Sequence, residues 1–235
     1  MPTVDICLSP ELLHLHDLSN SSVVVIDILR ASSCMVTALA NDVASIRPVR
    51  KVEECISYKE KGYLIAAERD GKKVEGFDLG NSPFSYMSAE LKGKKVALTT
   101  TNGTQAIKMS QATAKEVLVG AFLNKKSLGD YLLRSPNDVL LLCSGWKGQV
   151  NIEDTLFAGA LLHYLSPQKK YNADAALLAK NLYEQYQNNL MAIVSQSSHV
   201  QRLNNLGIEK DILFCLEENR YEVLTKMQGD ELVKI

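Results

Sequence analysis

The stretch Leu98–Ala106, LTTTNGTQA, decides how this chain is to be read. It closes an apolar run, Val96–Thr101, turns at Asn102-Gly103, and opens a helix-period segment over Gln105–Ala112. An apolar run ended by turn residues and followed by a 3.6-residue period is a strand handing over to a helix. Similar runs rich in Val, Ile and Leu occur at Val23–Leu29, Tyr63–Ala67, Val117–Ala121 and Val139–Cys143, with a weaker one at Ala44–Val49. Their length suits strands buried on both faces. Helix-period segments alternate with them at Ser33–Ala40, Val52–Lys61 and Lys126–Arg134. Alternation of this kind predicts an α/β fold: a three-layer α/β/α sandwich around a mostly parallel or mixed sheet.

Beyond Gly148 the pattern becomes mainly helical. Helices are expected over Ile152–Leu165, Ala173–Gln187 and Asn189–Leu206, and final strands over Ile212–Leu216 and Glu222–Lys226. No repeat or linker interrupts residues 1–235, so a single domain with a helical part from about residue 150 is expected.

The unusual residues fall at the carboxyl ends of the expected strands. DILRASS supplies Asp27, Arg30, Ser32 and Ser33; ERDG supplies Glu68 and Arg69; TTTNGT supplies Thr101, Asn102, Gly103 and Thr104; CSGWKG carries Trp146. In open α/β sheets ligands bind at that edge. A glycine turn before a helix offers free N–H groups and the positive end of a helix dipole, which suits a phosphate or a second anion. Each cap taken alone, at Ser33 or Thr104, is equally well an N-cap. Asp27, at the end of a buried strand, and Glu68, after Ala66-Ala67, need a partner or a metal. Glu153 and Asp154 open a helix, where dipole stabilisation is the plainer account. Oxygen donors without a His or Cys cluster favour Mg²⁺ over zinc.

Four histidines are present. His14 and His16 suit the surface, His163 suits a core or an interface, and His199, in SQSSHVQR, is the one in a polar setting that suits the site. Val74–Met87 is rich in Gly, Asn, Ser and Pro yet carries apolar side chains, which predicts an ordered flap with Asn81 and Ser82 as ligand contacts.

The 26 basic and 27 acidic residues are nearly balanced and no basic run occurs. Nucleic acid and anionic membrane are therefore not expected as partners. The N-terminus has no signal-peptide pattern and no apolar run is long enough to span a bilayer. The five scattered cysteines read as reduced, buried thiols, so a cytoplasmic location is expected. A homodimer is left open.

Five stretches in this order, VVVIDILRASS, ERDGKKVEGFDLGNSP, ALTTTNGTQAI, SGWKGQVNIEDTLFAGAL and SSHVQRLNNLG, together resemble the 2-phosphosulfolactate phosphatase family. The resemblance implies a Mg²⁺-dependent phosphatase with an α/β/α fold that acts on 2-phospho-3-sulfolactate, on the way to coenzyme M. Its site would draw on Asp27, Arg30, Ser32, Glu68, Arg69, Gly76, Asp78, Asn81, Ser82, Thr101, Asn102, Gly103, Thr104, Glu153, Asp154 and His199. The metal would lie among Asp27, Glu68, Glu153 and Asp154. The chain departs from the pattern at Val200, where a glycine is expected, and near the end, where Asn219 stands in place of an Asp.

The expected reaction is release of phosphate from a small anionic 2-phospho-hydroxyacid. A phospho-aspartyl route through Asp27 competes with direct attack by water. The haloacid dehalogenase signature needs an Asp at the place held by Leu29. An isomerase or lyase of phosphorylated hydroxyacids, and a non-catalytic anion-binding protein, are the other readings.

Overall fold

The computed structural model describes residues 2–69, 71–203 and 207–235. The chain begins with β1 (Val4–Cys7), β2 (Ser21–Ile26), α1 (Ala31–Ala40), β3 (Ser45–Pro48) and α2 (Val52–Ser57). Next come β4 (Leu64–Arg69), β5 (Lys72–Lys73), β6 (Lys95–Thr99), α3 (Gly103–Gln111), β7 (Glu116–Gly120), α4 (Lys125–Arg134) and β8 (Asp138–Cys143). The rest is α5 (Ile152–Leu165), α6 (Asp174–Tyr186), α7 (Met191–Val194), α8 (Ser198–Leu203), α9 (Glu209–Cys215), β9 (Thr225–Gln228) and β10 (Glu231–Lys234).

The strands form one mixed sheet in the order β1-β8-β2-β7-β9-β10-β3-β6-β4-β5. Two parallel sets, β1-β8-β2-β7 and β3-β6-β4, flank the antiparallel hairpin β9-β10. Because β7–β9, β9–β10 and β10–β3 are all antiparallel, the two parallel sets run in opposite senses. The hairpin turns on Gly229-Asp230, with Gly229 at φ +57, as a two-residue hairpin loop requires. Thr225 Oγ1 donates to Val119 O at 2.7 Å, and Glu231 Oε1 accepts from Arg47 Nε at 2.7 Å and Tyr63 OH at 2.8 Å. These bonds tie the hairpin to both sets.

The inner strands are buried on both faces, which is why they read as continuous apolar runs. In β2, Val23 and Val25 belong to the core under α1 and α3, whereas Val24 and Ile26 belong to the core under α4 and α5. On the other parallel set, Ile65, Ala67 and Ala97 pack with Cys55 of α2. Helices therefore cover both faces. α1 is buried along nearly its whole length, so it has no polar face to show. α5 and α6 pack closely at Gly159, where a Cβ would overlap Ala179 O and approach Tyr183 Cβ to 3.1 Å.

Several expected elements are corrected. Ile212–Leu216 is not a strand: it falls largely in α9, whose side chains Ile212, Phe214 and Cys215 are buried. A short apolar run of this kind does not distinguish a strand from a buried helix. The last strand pair is shifted to Thr225–Gln228 and Glu231–Lys234, and the short β1 had no counterpart in the sequence reading. The helix expected over Asn189–Leu206 is broken into α7 and α8, and its last three positions lie outside the described residues. His163 is no core histidine. It is exposed on α5 and its Nδ1 lies 2.9 Å from Glu184 Oε1. The five cysteines are free and buried, as expected. No helix among the described residues is long and apolar enough to cross a membrane.

Candidate active site

The polar strand ends do converge, although the two parallel sets run oppositely. Five strand-to-strand steps separate β2 from β6. Twist of roughly 20–25° per step accumulates over such a distance, and α1 and α3 share one core on the same face. The result is direct contact: a Cβ on Gly103, the first residue of α3, would lie 2.7 Å from Asp27 Oδ2 and 3.1 Å from Ala31 Cβ. Gly103 is a glycine because the Asp27 carboxylate occupies the space of a side chain.

One polar pocket forms at this junction. Asp27, Arg30, Glu68, Asn81, Thr101, Asn102 and His199, all singled out in the sequence, line it. So do Thr100, Trp146 and Arg202. Asp27 Oδ1 accepts the Ala31 N–H at 3.2 Å, and the Gly103 N–H is a further donor to the carboxylate. Glu68 accepts the Gly71 N–H. Asn81 Oδ1 is buried and has no hydrogen-bond partner among the described residues.

Behind the wall, Glu153 is fully buried. Its Oε1 lies 2.5 Å from His199 Nδ1, and its Oε2 has no partner among the described residues. This carboxylate orients the imidazole and leaves Nε2 as the nitrogen available to the pocket.

Other expected site residues do different work. Asp154 accepts from the N–H of Ile28 at 2.8 Å, from that of Gly145 at 3.0 Å and from Asn151 Nδ2 at 3.0 Å. With both oxygens spent on loop donors it staples the ends of β2 and β8 together rather than facing the pocket. Ser32 Oγ accepts the Asp27 N–H at 2.7 Å, and Ser33 Oγ donates to Ile28 O at 2.9 Å, so both hydroxyls shape the turn that carries Asp27. Thr104 Oγ1 donates to Thr100 O at 3.1 Å and accepts the Thr100 N–H at 3.3 Å, which braces the turn before α3. Arg69 donates to Glu68 O and Thr99 Oγ1 and is not part of the pocket wall. Asp78 holds the Ile65 N–H at 2.9 Å, and Gly76 makes a left-handed turn at φ +79. Val74–Met87 packs onto the fold through Phe77 and Tyr86, both buried, with Tyr86 OH donating to Gly80 O at 2.9 Å.

The departures at Val200 and Asn219 are structural. Val200 is buried in the core, while Asn219, at φ +59, accepts the Lys126 N–H at 2.8 Å in the first turn of α4.

Sequence reasoning missed Asp211. Its carboxylate pairs with Arg30 Nη1 and accepts from Ser82 Oγ at 3.1 Å, while Arg30 Nη2 donates to Gly71 O at 2.9 Å. Arg30, Ser82 and α9 are thus locked together. Asp211 is one of several acids flanking the apolar run 212–216, with Glu209, Glu217 and Glu218, and nothing local marks it out once that run is taken for a strand.

Burial pushes the Asp27 carboxyl up from 3.8 to about 6; the Ala31 N–H, His199 and the Gly103 N–H oppose this, and the charge of Glu68 adds to it. Burial also drives Asp154 well above the usual carboxylate range, helped by Asp27 and Glu153. A carboxyl raised on folding binds its proton more tightly in the folded chain. Its destabilising effect is absent below the unfolded value and grows as pH rises toward the folded one. Between pH 4 and 7, metal-free protein is therefore expected to lose on the order of 3 kcal/mol of stability through Asp27. Melting curves in EDTA across that range check this, and Asp27→Asn should make the profile shallower, with Asp154 supplying slope that remains. An unchanged slope in the variant would remove Asp27 as the cause.

Among the described residues no three His, Cys, Asp or Glu side chains form a ready-made metal cluster. The family model described as 2-phosphosulpholactate phosphatase matches residues 7–230. The chain is 39% identical over 218 residues to a probable 2-phosphosulfolactate phosphatase of Caldanaerobacter subterraneus subsp. tengcongensis, covering 91% of this chain and 90% of that one. It is 40% identical over 212 residues to a protein of the same name from Thermotoga petrophila, covering 90% and 91%. A third, from Thermotoga maritima, is 41% identical over 201 residues, 86% of each chain. With nearly the whole fold and every pocket-forming loop inside the matched region, the chain belongs to the 2-phosphosulpholactate phosphatase family.

Proposed function

We propose that the chain is a Mg²⁺-dependent phosphomonoesterase that converts 2-phospho-3-sulfolactate to 3-sulfolactate and phosphate. The observation that carries this reading is a single pocket in which two carboxylates, Asp27 and Glu68, meet two arginines, Arg30 and Arg202, beside the N-terminal turn of α3. The names of the relatives point the same way.

The donor set fits a hard cation. Asp27 and Glu68 supply charged oxygens, and the unpartnered Asn81 Oδ1 supplies a neutral one. Mg²⁺ habitually takes one or two carboxylates and completes its shell with water and substrate oxygens. Bound there, it would supply neutralisation of phosphoryl charge and polarisation of the ester. Glu153 and Asp154 are left out of this set because neither lines the pocket: Glu153 lies behind His199, and Asp154 is held by the N–H groups of Ile28 and Gly145.

The protein's own groups account for the rest. Asn102 sits at the N-terminal turn of α3, where the helix dipole favours an oxyanion. Arg30, fixed and largely neutralised by Asp211, adds rigidly placed N–H donors to the pocket wall. His199, with Nδ1 turned to Glu153, presents Nε2 to take a proton from an attacking water or to return one to the leaving alkoxide. This favours water attack over a phospho-aspartyl intermediate, because Asp27 is already held by the Ala31 N–H and packed on Gly103.

The experiment is a panel of phosphorylated hydroxyacids assayed for inorganic phosphate with Mg²⁺ and with EDTA. Release of phosphate that disappears in EDTA is expected. Conversion without phosphate release would favour an isomerase or lyase, and binding without any turnover would favour an anion-binding protein.

A further inference from the structure

We infer that Arg202, stacked on Trp146 at the pocket wall, is the residue that selects substrates by the acid group remote from the phosphate. This rests on the phosphatase reading above and names what in the site reads the second anion.

Two other arginines singled out in the sequence, Arg30 and Arg69, are poorly placed to hold a remote acid group. Arg69 is spent on Glu68 O and Thr99 Oγ1 outside the pocket wall. Arg30 lines the pocket, but its charge is offset by buried Asp211 and a second N–H goes to Gly71 O. A substrate with phosphate, sulfonate and carboxylate brings about four negative charges, so a further cation is needed.

Arg202 meets that need. It lines the same pocket as Asp27 and Glu68. Its Cζ lies over the Trp146 ring, 3.6 Å from the centroid, a close cation–π contact. Among the described residues it makes no hydrogen bond and no ion pair. The stack covers one face of the guanidinium and fixes the side chain, while the in-plane N–H fork stays open. That fork matches two oxygens of a carboxylate or sulfonate, and little rotamer freedom remains to be lost on binding. Lys147 also lies over the ring, at 4.7 Å, but is exposed, so water and salt screen its charge. Trp146, in the loop after β8, and Arg202, in α8, are 56 positions apart, and neither has a role in the turnover chemistry above.

The chain holds one tryptophan, so its fluorescence reports on this stack alone. The experiment measures the affinity of the full chain, with Mg²⁺ present, for 3-sulfolactate, lactate and inorganic phosphate by calorimetry, with Trp146 emission as a second readout. Arg202→Gln is expected to weaken 3-sulfolactate by at least tenfold while phosphate changes by less than about twofold, and Arg202→Lys to recover part of the loss. The wild type is expected to prefer 3-sulfolactate to lactate, and the Gln variant to lose that preference. Equal weakening of all three ligands, no weakening of any, or no binding of 3-sulfolactate by the wild type would overturn the assignment. These readings need no turnover. A chain that binds 3-sulfolactate through Arg202 yet releases phosphate from no ester would sink the phosphatase reading and leave this one standing.

Discussion

Asp27→Asn is expected to lose at least a hundredfold in kcat/KM for phosphate-ester hydrolysis while melting no lower than the wild type at pH 7.5. The carboxylate sits between the Ala31 N–H, the Gly103 backbone and Glu68, and it is one of two charged oxygen donors in the pocket among the described residues. A hundredfold loss corresponds to about 2.7 kcal/mol of transition-state stabilisation, in the range for one lost metal or catalytic contact. Asn has the same shape and its Oδ1 can still accept the Ala31 N–H, at the cost of the bond from the Gly103 N–H. It also removes a buried charge whose ionisation costs free energy at neutral pH, so stability should hold or rise. Steady-state kinetics and melting on the same preparation check both halves. Activity within a fewfold of wild type would place the reacting centre elsewhere in the pocket. A lower melting temperature with lost activity would reduce Asp27 to a structural part.

Gly159→Ala should be the most damaging single change away from the pocket, costing about 3 kcal/mol. The added methyl would overlap Ala179 O, a backbone atom that cannot move aside without separating α5 from α6. Overpacking of this kind costs roughly 1–3 kcal/mol and more where the neighbour is rigid. For a chain of this size the melting temperature should fall by roughly 6–12 °C. α5 also carries Glu153, so a shift of the helix would misplace the His199 ring, and kcat should fall before the protein melts. A variant with unchanged melting would show that the helix pair has slack that the packing at Gly159 denies.

Much of the site was legible before any coordinates because its signals are local. Strands buried on both faces must be apolar throughout, so Val23–Ile26, Val96–Leu98 and Val139–Cys143 announce themselves, and a costly acid at the end of such a strand, such as Asp27, stands out. Turn glycines and N-caps are equally local. The pairings behind the wall are not. Glu153 and His199 are 46 positions apart and Arg30 and Asp211 are 181 apart, and nothing in either neighbourhood names the other. Ser32, Ser33 and Thr104 look alike as caps or as ligands, and only the positions of Asp27 N, Ile28 O and Thr100 O assign their hydroxyls to the backbone.

By itself the sequence determined which segments are strands and helices through the middle of the chain, that the fold alternates them, and which strand ends carry charge, because periodicity and turn chemistry act over a few residues. Only the tertiary structure decided the strand order, the hairpin β9-β10 wedged between two oppositely running parallel sets, and hence which polar ends meet. Hydrophobic patterning records that a face is buried but not what buries it. For that reason Arg69 proved to lie outside the pocket and Arg202 within it, although both are equally polar residues next to a motif.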